Sequence, residues 1–258
     1  MTATAALGIV GGVLGLIAGS FLNVVAARVP EGRSVVRPGS ACPACGAAIR
    51  PTDNIPVLSW LVLRGRCRSC GSAISIRYPL VEIGTAALFA ATAFVIGARA
   101  VLPAYWWAAA VAFVLAIVDL DTRRIPNRIL YPGTVVGAVL LAVGALVDGE
   151  PAAFLRALGG GAAYFALLLV IAVAARGGFG FGDVKLGFLL GMFLAYRSWG
   201  TLAVGVFGAF LAGGIAAVGL LAVRRVGRRD AIPFGPAMVV GAFVAAAWGR
   251  QIADWYLR

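Results

Sequence analysis

The sequence predicts an all-α polytopic membrane protein, with about eight transmembrane helices and a small zinc-ribbon-like cytoplasmic domain. Of its 258 residues 62% are hydrophobic and only 12% are charged, and the mean hydropathy is +0.97. A soluble protein of this size cannot bury so much apolar surface, whereas membrane helices expose it to lipid. The net charge of +12 is spread over short loops, which favours contact with anionic lipid and argues against nucleic acid as a partner.

Eight apolar runs are the candidate membrane spans. They cover residues 5–27, 78–98, 103–120, 129–147, 152–175, 184–196, 200–223 and 236–253. Most have about the 17–25 residues that a spanning helix requires. The run 184–196 is short, so we expect that helix to be tilted, partly buried or broken. The first run has no basic stretch before it and continues into a large polar loop, which favours a membrane helix over a removed signal peptide.

The basic residues predict the orientation of these spans. Seventeen of the 22 Lys and Arg residues lie in the segment 28–77 and around the loops after the third, fifth and seventh spans. Positive charge is enriched on the cytoplasmic side of membrane proteins. We therefore expect these loops to be cytoplasmic, and both chain termini to lie outside.

All four cysteines lie in the polar segment, in two C-x-x-C-G motifs. These are Cys42-Pro43-Ala44-Cys45-Gly46 and Cys67-Arg68-Ser69-Cys70-Gly71. Paired motifs of this kind are typical of a tetrahedral zinc site with Cys42, Cys45, Cys67 and Cys70 as ligands. The alternatives are a redox-active pair or four thiols without metal; a reducing cytoplasm disfavours structural disulfides. We expect the zinc to be structural, because so short a segment with few large apolar side chains needs additional stabilisation.

These features predict three parts of the chain. The first transmembrane helix is 1–27, a cytoplasmic zinc-binding domain with four cysteine ligands is 28–77, and a seven-helix membrane domain is 78–258.

A glycine-rich stretch places a carboxylate beside flexible backbone between two apolar runs. Its sequence is Gly178-Phe179-Gly180-Phe181-Gly182-Asp183. An ionisable group at membrane depth is costly in free energy and is therefore a candidate functional residue. Gly180 and Gly182 allow the backbone to bend or to approach another segment closely. The alternative is an ordinary interhelical loop in which Asp183 caps the next helix.

A second carboxylate, Asp119, ends the third span, and the predicted topology brings it to the same membrane face as Asp183. Its alternative role is an interfacial ion pair with Arg123 or Arg124 at helical spacing. Asp121 has the same alternative.

Two carboxylates in one site of low dielectric constant cannot both ionise easily, so they share a proton. The ionised member can take a proton from a water that attacks a peptide carbonyl. The protonated member can polarise the carbonyl oxygen and later help the amine to leave. This aspartyl-protease chemistry needs neither a metal nor a histidine, and the chain has no histidine.

Three further features have simple expected roles. Glu82, near the start of the second span, either pairs with Arg77 or contributes to a binding site. Lys185 is expected to extend toward the lipid headgroups. The stretch Ile232-Pro233-Phe234-Gly235-Pro236 is expected only to turn the chain into the last span.

Together these motifs resemble the type IV prepilin peptidase family, bifunctional leader peptidases and N-methyltransferases among the GxGD membrane aspartyl proteases. The resemblance covers nearly the whole chain and keeps the order of the motifs. It includes both cysteine motifs and the stretches Gly19-Ser20-Phe21-Leu22-Asn23-Val24-Val25, Asn54-Ile55-Pro56-Val57-Leu58-Ser59-Trp60, Arg64-Gly65-Arg66-Cys67, Arg77-Tyr78-Pro79-Leu80-Val81-Glu82, Asp119 to Asn127, Gly180-Phe181-Gly182-Asp183-Val184-Lys185-Leu186 and Pro233-Phe234-Gly235-Pro236.

The resemblance implies an aspartic endopeptidase of the bacterial inner membrane, with Asp119 and Asp183 as its catalytic pair at the cytoplasmic face. Only the family pattern selects Asp119 over Asp121. It implies prepilins or pseudopilins as substrates, cut after a short basic leader. It also implies that S-adenosylmethionine donates a methyl group to the new amine. No glycine-rich dinucleotide motif marks the methyl-donor site, for which Glu82 is the candidate residue.

Two other classes of function use the same features. In a membrane scaffold or assembly factor, the zinc module would bind a pilus or secretion partner and the aspartates would be structural. In a proton-coupled transporter, Asp119 and Asp183 would relay protons. A transporter usually has two corresponding halves with paired broken helices, whereas this chain has one glycine-broken stretch and one cysteine domain.

Overall fold

The computed structural model describes residues 3–175, 179–223 and 232–256. Its helices are α1 (Ala3–Arg28), α2 (Leu58–Val62), α3 (Arg77–Ile96), α4 (Leu102–Thr122), α5 (Asn127–Val147), α6 (Pro151–Ala174), α7 (Phe181–Arg197), α8 (Trp199–Ala222) and α9 (Gly235–Tyr256). Within these ranges β-structure is limited to two isolated bridges, so the predicted all-α class is confirmed. Gly178, the first residue of the glycine-rich stretch, lies outside the described residues, as does part of the basic loops after the fifth and seventh spans.

All helices except α2 coincide with the predicted spans. Among the described residues, α1, α3, α4, α5, α6 and α8 are long and apolar enough to cross a membrane, judged by length and composition. The helix α7 has only 17 residues, and α9 becomes polar toward its end, at Arg250 and Asp254. The chain is therefore a multi-pass membrane protein, whereas a crossing by α7 or α9 stays a prediction.

The chain forms two compact units, Met1–Ala98 and Arg99–Arg258. In the first unit α1 and α3 pack antiparallel at very short range. A Cβ atom on Gly15 would lie 2.5 Å from the Cα of Ala86, and one on Gly19 would lie 2.7 Å from the Cα of Glu82. Small residues at such interfaces are the usual means by which membrane helices approach each other. The proposed division by role into 1–27, 28–77 and 78–258 stays a prediction.

In the second unit α7 is a central helix, packed against α4, α6, α8 and α9. Eleven of its 17 residues are buried: Val184, Leu186, Gly187, Leu189, Leu190, Gly191, Met192, Phe193, Leu194, Ala195 and Tyr196. The expectation of a short, partly buried helix is thus confirmed. The buried residues begin at Val184, whereas Phe181 in the first turn is exposed.

Candidate functional site

The carboxylate of Asp119 is held in the last turn of α4. The helix ends one turn later, where Arg123 adopts a left-handed backbone conformation and donates its N–H to the Asp119 carbonyl at 2.8 Å. The Asp119 side chain is only 4% exposed. Its Oδ2 atom accepts a hydrogen bond of 3.1 Å from the backbone N–H of Gly235, at the start of α9. The observed partner of the Asp119 carboxylate is therefore the start of α9. The alternative prediction was an ion pair with Arg123 or Arg124.

Gly235 is a site residue that the sequence analysis missed, since its stretch was expected only to turn the chain. A Cβ atom at this position would lie 2.7 Å from Asp119 Oδ2, so any side chain here would collide with the carboxylate. The following Pro236 has no N–H to offer. Two signals were available in the sequence. One was a glycine beside a proline at the start of an apolar run, which is also an ordinary turn signal. The other was the place of this stretch among the motifs that carry the family resemblance.

The carboxylate of Asp183 lies in the first turn of α7 and folds back toward Gly180. A Cβ atom on Gly180 would lie 2.9 Å from Asp183 Oδ2, and one on Gly182 would lie 3.0 Å from the Cβ of Ile125. Both glycines of the G-x-G-D motif therefore lie where another group approaches the backbone closely. Gly180 leaves room for the carboxylate, and Gly182 lets α7 pack against the segment that follows α4.

Ile125 joins the two halves of the site. It contacts Gly182, and its Cδ1 atom would lie 3.4 Å from a Cβ on Gly235. The Phe179 and Phe234 rings, which precede α7 and α9, also meet edge to face with centroids 5.4 Å apart. These contacts bring the end of α4 and the starts of α7 and α9 together. Asp119, in the last turn of α4, and Asp183, in the first turn of α7, are thereby brought to the same end of the second unit.

Lys185, which was expected to extend toward the lipid headgroups, has partners within the protein. Its Nζ donates a hydrogen bond of 3.0 Å to Oδ1 of Asn127 and lies over the rings of Tyr131 and Phe181, at 5.3 and 4.8 Å from their centroids. Cation–π contacts of this length are attractive. Lys185 therefore connects the first turn of α7 to α5.

The four thiols converge as their spacing predicts. The sulfur atoms of Cys42, Cys45, Cys67 and Cys70 all lie within 4.8 Å of one another, and those of Cys42 and Cys70 are 3.9 Å apart. Four thiolates bound tetrahedrally to zinc, with Zn–S bonds of about 2.3 Å, have sulfurs about 3.8 Å apart. The donor set and its spacing fit a zinc ion.

Two similar turns build this cluster. In each, the glycine after the second cysteine donates its N–H to the carbonyl of the first cysteine, Gly46 to Cys42 and Gly71 to Cys67, both at 2.9 Å. Both glycines have φ of 71°, a left-handed conformation that glycine adopts without strain. Because the same turn is formed twice, the sequence contains the Cys-x-x-Cys-Gly pattern twice.

Hydrogen bonds to Cys42 favour its metal-binding form. The Ser72 hydroxyl, with the backbone N–H groups of Cys45 and Ala44, lowers the pKa of Cys42 to about 6. The thiolate is the species that binds a metal. Nearby, Arg68 binds the carboxylate of Asp53 through two nitrogens at 2.6–3.1 Å and lowers its pKa. This pair ties the second cysteine motif to the turn at Pro51–Asn54.

Glu82 belongs to α3 and is buried, at 7% exposure. Its carboxylate faces Val57, the residue that precedes α2. Its Oε2 accepts the N–H of Val57 at 2.7 Å, and the Ser20 side chain also hydrogen-bonds to it. Val57 has φ of 62°, which is strained for a β-branched residue and is found mostly at functional positions.

A cleft of about 470 Å³ lies beside Ser20 and is lined by α1 and by the polar segment. Arg28 forms part of its wall, and its guanidinium binds the carbonyls of Ser34, Pro38 and Gly39 at 2.7–3.3 Å. The first unit therefore contains the cysteine cluster and also a cleft beside Ser20, which hydrogen-bonds to the carboxylate of Glu82.

Comparison with known proteins decides the family. The model described as the bacterial peptidase A24 N-terminal domain matches residues 13–96, and that of the type IV leader peptidase family matches residues 106–218. The prepilin leader peptidase/N-methyltransferase of Bacillus subtilis (strain 168) is 34% identical over 247 residues, which are 95% of this chain and 96% of that protein. This chain belongs to the type IV leader peptidase family.

Other relatives agree with this assignment to the leader peptidases. The prepilin leader peptidase/N-methyltransferase of Pseudomonas aeruginosa is 34% identical over 272 residues, covering 95% of this chain and 91% of that protein. The one from Myxococcus xanthus (strain DK1622) is 41% identical over 222 residues, covering 84% and 64%. No solved structure matches the chain significantly. The ranges matched by the leader peptidase models include the cysteines, Glu82, Asp119 and Asp183, whereas Gly235 lies beyond them.

Proposed function

We propose that this protein cleaves the basic leader of prepilin-like proteins with Asp119 and Asp183, and then N-methylates the new amino terminus. The observation that carries the assignment of the pair is that Gly182, next to Asp183, and Gly235, which bonds to Asp119, both meet Ile125 at one end of the second unit. The name shared by relatives over nearly the full length of both chains supports the two activities.

The pair works as one acid and one base. Because the two carboxyl groups interact, they share a single proton. The ionised group takes a proton from water as the water attacks the scissile carbonyl, and the protonated group donates to the carbonyl oxygen. The N–H of Gly235 holds Asp119 in place, and the space left by Gly180 holds Asp183. The C–N bond then breaks as the group that took the proton from water gives it to the leaving amine, and the other group takes back its proton from the carbonyl oxygen.

Methyl transfer is assigned to the first unit. S-adenosylmethionine, which the name of the relatives implies, supplies an electrophilic methyl group on a positively charged sulfur. We propose Glu82 as the residue that attracts this charge, since it is an acidic group hydrogen-bonded to Ser20, which lines the cleft of about 470 Å³. Binding of the donor by the purified protein, measured calorimetrically with wild type and Glu82→Gln, tests this without any need for turnover.

The cysteine cluster is proposed to bind one structural zinc ion. Cys42, Cys45, Cys67 and Cys70 would be its four ligands, which leaves no coordination position for catalysis. When bound, the ion holds the two turns of the polar segment together. Metal analysis of a Cys42→Ser/Cys67→Ser double variant should show that zinc is lost, and unchanged zinc would contradict this ligand set.

The positive-inside distribution supports a cytoplasmic location for the zinc domain and for the active site, with both termini outside. Prepilins or pseudopilins are the proposed substrates, since their basic leaders lie on the same side. The scaffold and transporter alternatives have no comparable support among the relatives.

Cleavage of a prepilin-like peptide by the purified protein in detergent tests the catalytic pair. Asp119→Asn and Asp183→Asn should each reduce cleavage to below about one thousandth of wild type, because the pair acts as a unit. The matched control is Asp121→Asn, the same change two residues away on another face of α4, which should leave cleavage near wild type. Cleavage by either active-site variant at the wild-type rate would refute the assignment.

The two activities can be separated in the same preparation. A peptide supplied already cut should be methylated by Asp119→Asn and Asp183→Asn, because the donor site is assigned to the other unit. Mass spectrometry of the peptide's amino terminus reports cleavage and methylation together.

A further inference from the structure

Tyr164, on α6, is buried against the face of α7 that carries Asp183. Residues Asp183, Gly187 and Gly191 follow each other at intervals of four and therefore lie on one face of the helix. A Cβ atom on Gly191 would lie 2.9 Å from the Cβ of Tyr164, and one on Gly187 would lie 3.6 Å from its Cγ. The tyrosine side chain thus runs along α7 from Gly191 past Gly187, in the direction of Asp183.

Among the residues that the structure describes, none pairs with the buried hydroxyl of Tyr164. The residue is 2% exposed, and its hydroxyl makes no hydrogen bond within the described part of the chain. Leaving a buried hydroxyl unpaired is unfavourable, and phenylalanine would fill the same space without that cost. A tyrosine at this position therefore needs a reason other than packing. The direction of the ring along α7 leads toward Asp183, the acidic residue on the same helix face.

We propose that Tyr164 is a positioning residue of the proteolytic site, whose hydroxyl donates a hydrogen bond to the carboxylate of Asp183 during catalysis. The inference rests on the proposed role of Asp183. In the structure that carboxylate is turned toward Gly180. The proposed hydrogen bond requires the Asp183 side chain to rotate away from Gly180 during catalysis.

Each member of the pair then has one neutral donor. Asp119 receives the backbone N–H of Gly235, and Asp183 receives the Tyr164 O–H. Such donors stabilise an ionised carboxylate without adding a charge and fix the direction of its remaining lone pairs. Among the described residues, the charged groups beside Asp183 are Asp119, on α4, and Lys185, whose ammonium is engaged by Asn127.

The test is Tyr164→Phe, which keeps the ring on the glycine face and removes only the donor. We expect kcat for peptide cleavage to fall by about tenfold to a hundredfold, the effect of losing one hydrogen bond to an ionised group, with KM unchanged. The acidic limb of the pH profile of kcat should move by about one unit to higher pH, because the pair loses its proton less easily. Thermal stability should stay equal or rise, since an unpaired buried hydroxyl is removed.

Tyr105→Phe is the matched control. Tyr105 is also buried, at 7% exposure, but its hydroxyl donates to the backbone carbonyl of Phe193 at 2.9 Å. Its loss removes this hydrogen bond between α4 and α7, so the variant should be less stable while its pH profile stays that of wild type. Incorporating 3-fluorotyrosine at position 164 restores a donor and should restore most of kcat.

The outcomes distinguish this inference from the proposed function. If Asp183→Asn abolishes cleavage and Tyr164→Phe has the kcat and pH profile of wild type, the role of Tyr164 is wrong and the catalytic pair stands. If Asp183→Asn cleaves normally, the catalytic pair is wrong and the inference fails with it. A Tyr164→Phe variant that loses stability together with activity would show a packing role and would also overturn the inference.

Discussion

Replacing Gly235 by alanine should disable the site and leave the fold intact. The added Cβ would lie 2.7 Å from Asp119 Oδ2, and ordinary contact begins at 3.4 Å, so the carboxylate must move by about 0.7 Å. This displacement breaks the 3.1 Å hydrogen bond from Gly235. A hydrogen bond to a charged group contributes about 1.5–3 kcal/mol, so kcat/KM should fall by about tenfold to a hundredfold. Because the displaced atoms are the end of a side chain and not backbone, the melting temperature should change little.

The assay is peptide cleavage in detergent, with thermal unfolding measured on the same samples. Gly214→Ala is the control, because a Cβ at that position in α8 meets nothing within 4 Å. Alanine in a helix is about 0.5–1 kcal/mol more favourable than glycine, so this variant should be fully active and no less stable. Wild-type kcat/KM in Gly235→Ala would refute the argument. So would a loss of activity that matches a loss of folded protein.

Three other changes have expected outcomes of different kinds. Gly180→Ala places a Cβ 2.9 Å from Asp183 Oδ2. The value of kcat/KM should therefore fall about tenfold while the melting temperature stays unchanged. A fully active variant would show that the carboxylate does not need this space. Gly241→Ala places a Cβ against the backbone of Gly208 and Ala209. This variant should be about 1–3 kcal/mol less stable than wild type. An unchanged melting temperature would contradict the close packing of α8 on α9. Chelation of the metal should make the segment 28–77 sensitive to protease until zinc is restored, and a segment that stays resistant would argue against a structural ion.

The cysteine cluster and the G-x-G-D aspartate were predictable because each is a local pattern with a local cause. The two C-x-x-C-G motifs form nearly identical turns, with the same hydrogen bond and the same glycine conformation. The geometry of each turn depends on residues within five positions of each other. Two such motifs in one segment are typical of a single zinc site, so the pattern also predicted that the four sulfurs would meet.

Gly235, Ile125 and Tyr164 were not predictable in the same way. Each acts on a carboxylate, or on the segment that bears one, from a different helix or connection. Gly235 lies 116 positions from Asp119 along the chain, and its local pattern is that of an ordinary turn. The contacts of Lys185 were likewise not predictable from the local sequence, because its partners Asn127 and Tyr131 come from α5.

By itself the sequence determined that the chain is a membrane protein built of helices, where those helices run, and which residue types bear chemistry. Composition and hydrophobic length decide these properties, since each helix satisfies its own backbone hydrogen bonds in lipid. Only the tertiary structure decided which glycines make room for which carboxylate, and which donor serves it. Those choices depend on atoms of separate helices that meet within 3–4 Å, a distance set by how α4, α6, α7 and α9 pack together.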